Sequence, residues 1–144
     1  MSLFKIKEVY LVDDDAIVRM VAGKILRSIE FKNPISGFEN GQIALDEISR
    51  KIATNEFEFT DEKILLLLDI NMPIMDSWAF LDEFKKINQE IKKHFLISII
   101  TSSIDTGDKL KAFSYADVSD YITKPLTGKH ILDFLTKHSL YEEE

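Results

Sequence analysis

Residues 65–73 read Leu65-Leu66-Leu67-Leu68-Asp69-Ile70-Asn71-Met72-Pro73, LLLLDINMP. Four leucines run straight into a carboxylate, and the chain then turns at a proline. A carboxylate pressed against an apolar strand is costly unless something pairs with it. Asp69 therefore needs either a structural partner or a chemical use. The apolar run itself fits a strand of a parallel sheet covered on both faces, rather than a half-exposed antiparallel one.

Similar short apolar runs lie at residues 9–12 and 95–100, with weaker ones at 33–37 and 118–123. Stretches with helical spacing separate them. Ile17, Val21, Ile25 and Ile29 recur every four residues, as do Phe80, Phe84 and Asn88, with Leu81 and Ile87 widening that stripe. Further helices are expected at 42–52, 106–115 and 127–139. The order is five strands, each followed by a helix, which predicts an α/β open sandwich. Nearly every Leu, Ile, Val and Phe is then core. Residues 53–63, ATNEFEFTDEK, read as a surface excursion with one of Phe57 and Phe59 tucked down; a partner-binding loop or an edge extension are the alternatives. The acidic YEEE terminus is expected to fray.

In open parallel sheets ligands bind outside the carboxyl ends of the strands. Four polar signals fall there: Asp13-Asp14-Asp15 after YLV, Asp69 after LLLL, Thr101-Ser102 after LISII, and Lys124-Pro125 after DYIT. Taken alone, the acidic run reads as solvated surface and Lys124 as a surface lysine before a turn; their shared placement favours a site. Converging carboxylates repel one another, and a divalent cation relieves this. Magnesium takes oxygen ligands, which Asp13, Asp14 and Asp69 offer. A carboxylate beside such an ion can attack phosphorus and become an acyl phosphate. Lys124 would supply a movable positive charge, and the Thr101 hydroxyl a hydrogen bond to a phosphoryl oxygen.

Composition narrows the classes. The chain has 144 residues, 45% of them hydrophobic, which suits one compact domain with a sizeable core. Eighteen basic and 25 acidic residues give a formal charge of −7, which argues against non-specific binding to nucleic acid or an anionic membrane. Without cysteine, disulfides and thiolate metal sites are excluded, and His94, His130 and His138 show no ligand spacing, so zinc is disfavoured. The glycines form no dinucleotide or P-loop pattern. No signal peptide and no run of about 20 apolar residues is present, so a soluble cytoplasmic protein is expected.

Over residues 8–140 these motifs resemble the receiver domain of bacterial two-component response regulators. The resemblance implies a doubly wound, flavodoxin-like sheet of order 2-1-3-4-5 and a single receiver domain over 1–144. It implies that Asp69 is the phosphorylated residue. Asp13, Asp14, Asp69 and the backbone carbonyl of Asn71 would hold Mg²⁺. Thr101 and Lys124 complete the site, Tyr121 is the aromatic switch, and Pro73, Ser102 and Pro125 are structural, with a cis Lys124–Pro125 bond. Implied partners are a sensor histidine kinase or histidine phosphotransfer protein as donor, and a downstream protein on the face of the fourth helix, fifth strand and fifth helix. Ser77 departs from the glycine common in the family, so it either alters the loop or caps the next helix. Asp15 reads as the cap of the first helix or a tuner of the metal site, and Asn40 as the cap of the second. Trp78 reads as surface packing.

Two other functions compete. A receiver-like binding module would keep the fold without the chemistry, against the intact set of Asp13, Asp14, Asp69, Thr101 and Lys124. A small-molecule phosphatase with an aspartyl intermediate would want a second aspartate two residues beyond Asp69, where Asn71 stands.

Overall fold

The computed structural model describes residues 2–57 and 62–143. In chain order the elements are β1 (Ser2–Phe4), β2 (Ile6–Val12), α1 (Ala16–Ser28), β3 (Ile35–Phe38), α2 (Gly41–Ala53), β4 (Lys63–Leu68) and α3 (Ser77–Phe84). Then follow α4 (Gln89–Lys92), β5 (Phe95–Thr101), α5 (Thr106–Phe113), β6 (Val118–Thr123), α6 (Gly128–Lys137) and β7 (Tyr141–Glu143).

The leucine run becomes β4, in the middle of a parallel sheet of order β3-β2-β4-β5-β6. With the terminal strands set aside, this is the 2-1-3-4-5 order. Successive side chains of a strand point to opposite faces. Ile64, Leu66 and Leu68 accordingly join Tyr10, Phe80 and Phe84 in one core, while Leu65 and Leu67 join Leu26, Phe31 and Phe134 in the other. Helices cover both faces, so every residue of the run has an apolar neighbour layer.

Register carries the polar residues to one rim. Val12 of β2 pairs with Leu68 of β4, so Asp13 and Asp69 emerge side by side. Thr101 of β5 pairs with Thr123 of β6, which places Lys124 at the same level.

Several expectations are corrected. Residues 141–143 do not fray: β7 pairs antiparallel with β1, and Phe4 packs on Tyr141 and Phe31. The expected stripe of α1 holds only in its second half, where Ile25 and Ile29 pack part-buried against the core. Ile17 is 68% and Val21 45% exposed, and Ala22 and Leu26 are the buried residues. A four-residue step overshoots a helical turn by about 40°, so a repeat that reaches the core at Ile25 and Ile29 lies on the solvent side at Ile17 and Val21. The third helix stops at Phe84 rather than running to Asn88, because the Asn88 side chain accepts from Glu90 N–H and starts the short α4. Asp76, not Ser77, caps α3 by accepting from Ala79 N–H. Asp15 and Asn40 cap α1 and α2 as expected. Phe57 is the tucked phenylalanine, packed near Phe95 and stacked on His94, whereas Phe59 lies outside the described residues.

Candidate functional site

Asp13 is buried and held at every polar point. Its N–H donates to the Phe38 carbonyl of β3 (3.0 Å). Its Oδ1 accepts from the Asp15 N–H (2.9 Å), and its Oδ2 from Lys124 Nζ (2.9 Å). Its own carbonyl accepts from Arg19 Nη1 (2.5 Å). Asp69 donates its N–H to the Val12 carbonyl (2.9 Å), which fixes it next to Asp13. Asp14 is the exposed member, and ligand oxygens of Asp13, Asp14 and Asp69 all lie within 4.8 Å of one another.

The electrostatics follow from this crowding. Burial, and then the charge of Asp13, lift the Asp69 carboxyl from 3.8 to about 6, against the opposing pull of Lys124. Burial alone would lower Lys124; its hydrogen bond to Asp13 and the charges of Asp69 and Asp13 outweigh that and hold it above its ordinary value. Lys124 Nζ stands 3.6 Å from Asp69, so one ammonium faces more than one carboxylate. A cluster of hard oxygens with surplus negative charge fits a hard divalent cation such as Mg²⁺.

Thr101 is buried at the tip of β5; its carbonyl accepts from the Lys124 N–H (2.7 Å), tying the two residues together. Its Oγ1 accepts from the Ser103 N–H (3.2 Å), which leaves the hydroxyl proton for another acceptor. The Lys124–Pro125 bond is cis. Tyr121 is half-buried and its hydroxyl donates to the Ser103 carbonyl (3.1 Å), bridging β6 to the loop after β5. Asn71, Pro73 and Ser102 are exposed on the loops around the cluster.

Ser77 has no positive φ, so a serine costs no backbone strain there; its buried Oγ has no hydrogen-bond partner among the described residues. The left-handed residue of this loop is instead Ile74, at φ 68°. Trp78 of α3 stacks on Tyr115, two residues past the end of α5.

The response regulator receiver domain model matches residues 9–136. The chain belongs to this family. Among curated relatives, the receiver is 28% identical over 130 residues to the chemotaxis protein CheY of Halobacterium salinarum, covering 90% of this chain and 94% of that one. It is 29% identical over 123 residues to a protein-glutamate methylesterase/protein-glutamine glutaminase of Paramagnetospirillum magneticum. A similar enzyme of Treponema pallidum is 26% identical over 139 residues. The receiver spans only 29% and 31% of those two enzymes. Among solved structures, a two-component response regulator from Cytophaga hutchinsonii is 29% identical, with TM-score 0.78 over 92% of this chain and 96% of that one.

The sequence reading missed Arg19 and Ser103 in this receiver. Arg19 lies four residues beyond Asp15, one helical turn into α1, and that spacing is the only signal for it. Ser103 meets Thr101 and Tyr121 through its backbone N–H and carbonyl, which sequence does not distinguish.

Proposed function

We propose that the receiver is a phosphorylation-activated switch whose acceptor is Asp69. The carrying observation is the meeting of three carboxylates within 4.8 Å, with Lys124 beside Asp69. The donor is a phosphohistidine on a sensor kinase or histidine phosphotransfer protein. An Asp69 oxygen attacks phosphorus in line with the departing imidazole nitrogen; the N–P bond breaks as the O–P bond forms, and the imidazole takes up a proton. At neutral pH Asp69, titrating near 6, is mostly ionised and can attack. Asp13, Asp14, Asp69 and the Asn71 carbonyl are the groups that would hold Mg²⁺. When bound, the ion would offset charge on the phosphoryl oxygens.

Lys124 exchanges part of its interaction with Asp13 for the new phosphoryl oxygens, and the Thr101 hydroxyl donates to one of them. Thr101 and Tyr121 both contact Ser103, so a movement of Thr101 is passed to Tyr121. The face of α5, β6 and α6 then changes its affinity for a downstream protein, a population shift biased by local charge. Residues 1–144 act as one receiver domain in the cytoplasm. Among the described residues no helix is long and apolar enough to cross a membrane.

Incubation with acetyl phosphate and Mg²⁺ followed by intact mass tests this reading. One added phosphoryl group, lost in Asp69→Asn, supports it. An unlabelled but folded protein would favour a binding module instead.

A further inference from the structure

We propose that Arg19 is a positioning residue for the acidic pair and that Gly37 is its seat. The inference deepens the phosphoacceptor reading and rests on it for its meaning. Asp13 has four polar points, and groups from β3, the start of α1 and the end of β6 hold three of them. The fourth, the carbonyl, is held by Arg19 Nη1 at 2.5 Å in a charge-assisted hydrogen bond. That carbonyl belongs to the peptide joining Asp13 to Asp14. Pinning it fixes the peptide plane, and with it the direction in which Asp14 leaves the strand. Asp14 is exposed, and this plane aims its carboxylate towards Asp13 and Asp69.

Gly37 supplies the second observation. It lies within β3, paired with Leu11 of β2. Glycine in a strand is a liability, tolerated where φ must be positive or where something approaches closely. Its φ is not positive. A Cβ built at residue 37 would sit 3.1 Å from Arg19 Cδ and 3.3 Å from Arg19 Nε. The missing side chain leaves the space through which the arginine stem runs to reach the Asp13 carbonyl. The guanidinium's charge by itself opposes a nearby cation, so the role assigned to Arg19 is orientation of the peptide and not attraction.

The test compares Arg19→Ala, Arg19→Lys, Gly37→Ala and the double variant with Arg19→Ala and Gly37→Ala. Three measurements are made: backbone amide shifts of residues 13–15 in metal-free protein by NMR, Mg²⁺ affinity by calorimetry, and thermal midpoint. Arg19→Ala is expected to shift the amides of Asp14 and Asp15 and to weaken Mg²⁺ binding about tenfold, the usual scale for groups that orient ligands. Gly37→Ala is expected to do the same more weakly, and to add nothing once Arg19 is gone. Arg19→Lys keeps the charge but loses the planar fork, and recovers part of the affinity. Unmoved amides in Arg19→Ala, or additive losses in the double variant, would overturn the proposal. Should Arg19→Ala fail to fold, Arg19→Lys and Gly37→Ala decide the matter by the same readouts. If the unaltered protein binds no Mg²⁺, the phosphoacceptor reading falls, while the metal-free amide shifts still judge Arg19.

Discussion

Lys124 gives its hydrogen bond to Asp13 at 2.9 Å and stands 3.6 Å from Asp69. An ammonium from the edge strand β6 thus neutralises carboxylates from the central strands β2 and β4. The arrangement joins residues 111 positions apart, and it exists only because the strands share a rim. Truncation to Lys124→Ala leaves two close carboxylates without their cation. We expect the metal-free protein to lose about 2–3 kcal/mol, because removing one partner strands the charges of the others. Saturating Mg²⁺ should return most of that loss, as a ligand bound only by the folded state does. Some labelling of Asp69 should persist, but the phosphorylation-dependent change in partner affinity should shrink. Urea titrations with and without Mg²⁺ check the first part; an equal loss in both conditions would contradict it.

Asp69→Asn carries a pH signature. The Asp69 carboxyl is raised by burial and by Asp13 from 3.8 to about 6, so the folded state holds its proton more tightly than the unfolded state. Stability from the protonated form is therefore present below pH 3.8 and is lost as pH rises through about 6. Asparagine cannot ionise and escapes the loss. The variant should be more stable than its parent at pH 7 by roughly 1–3 kcal/mol, with the advantage fading towards pH 4. Denaturation midpoints across that range are the measurement, and a gain independent of pH would assign the effect to something other than ionisation.

How far this could be read from the sequence depends on what each element uses to form. The acidic and basic strand tips were legible because a polar residue ending a buried apolar run leaves few readings, and because Asp13, Asp69, Thr101 and Lys124 repeat the same placement. The strand order was not legible by periodicity, since alternation reports which faces are buried and not which strand lies alongside; the family resemblance supplied it. The stripe of α1 misled in its first half, because Ile17 and Val21 occupy the solvent side, while Ile25 and Ile29 pack part-buried beside Ala22 and Leu26. The β1–β7 ribbon was invisible because its pairing is made by backbone groups, which Tyr141, Glu142 and Glu143 do not advertise. Arg19 was missed for the converse reason. Its partner is a main-chain carbonyl, which any residue provides.

Tyr121→Phe isolates one hydrogen bond. The ring packs against the core that contains Phe80 and Ile99, and the hydroxyl donates to the Ser103 carbonyl at 3.1 Å. Removing the hydroxyl keeps the packing and frees that carbonyl in a part-buried setting, a loss of about 0.5–1.5 kcal/mol. The loop after β5 then loses its tie to β6. Amide exchange at residues 102–105 should quicken, while the initial rate of labelling by acetyl phosphate should stay within about twofold, because the hydroxyl touches none of the three carboxylates. A labelling rate that collapsed with this change would place Tyr121 in the transfer step rather than in the response to it.

The terminal ribbon separates fold stability from chemistry. Phe4 sets its ring 5.5 Å from Phe31, edge to face, and 4.8 Å from Tyr141, so it fastens β1 and β7 to the core beneath α6. The Lys5 N–H donates to the Leu140 carbonyl (2.8 Å), and the Lys63 N–H to the Lys5 carbonyl (3.0 Å), which ties the ribbon to the amino-terminal ends of β2 and β4. The carboxylate cluster lies at the opposite, carboxyl-terminal rim. Phe4→Ala should therefore cost about 2 kcal/mol, less than a fully buried phenylalanine because the ring is partly exposed. The mechanism is lost contact between ribbon and core, so Tyr141→Ala in the same background should add little. Mg²⁺ affinity and the rate of Asp69 labelling should match the parent wherever the variant is folded. If they fell in step with the stability, the two rims of the sheet would be coupled, and the ribbon would belong to the switch instead of bracing it.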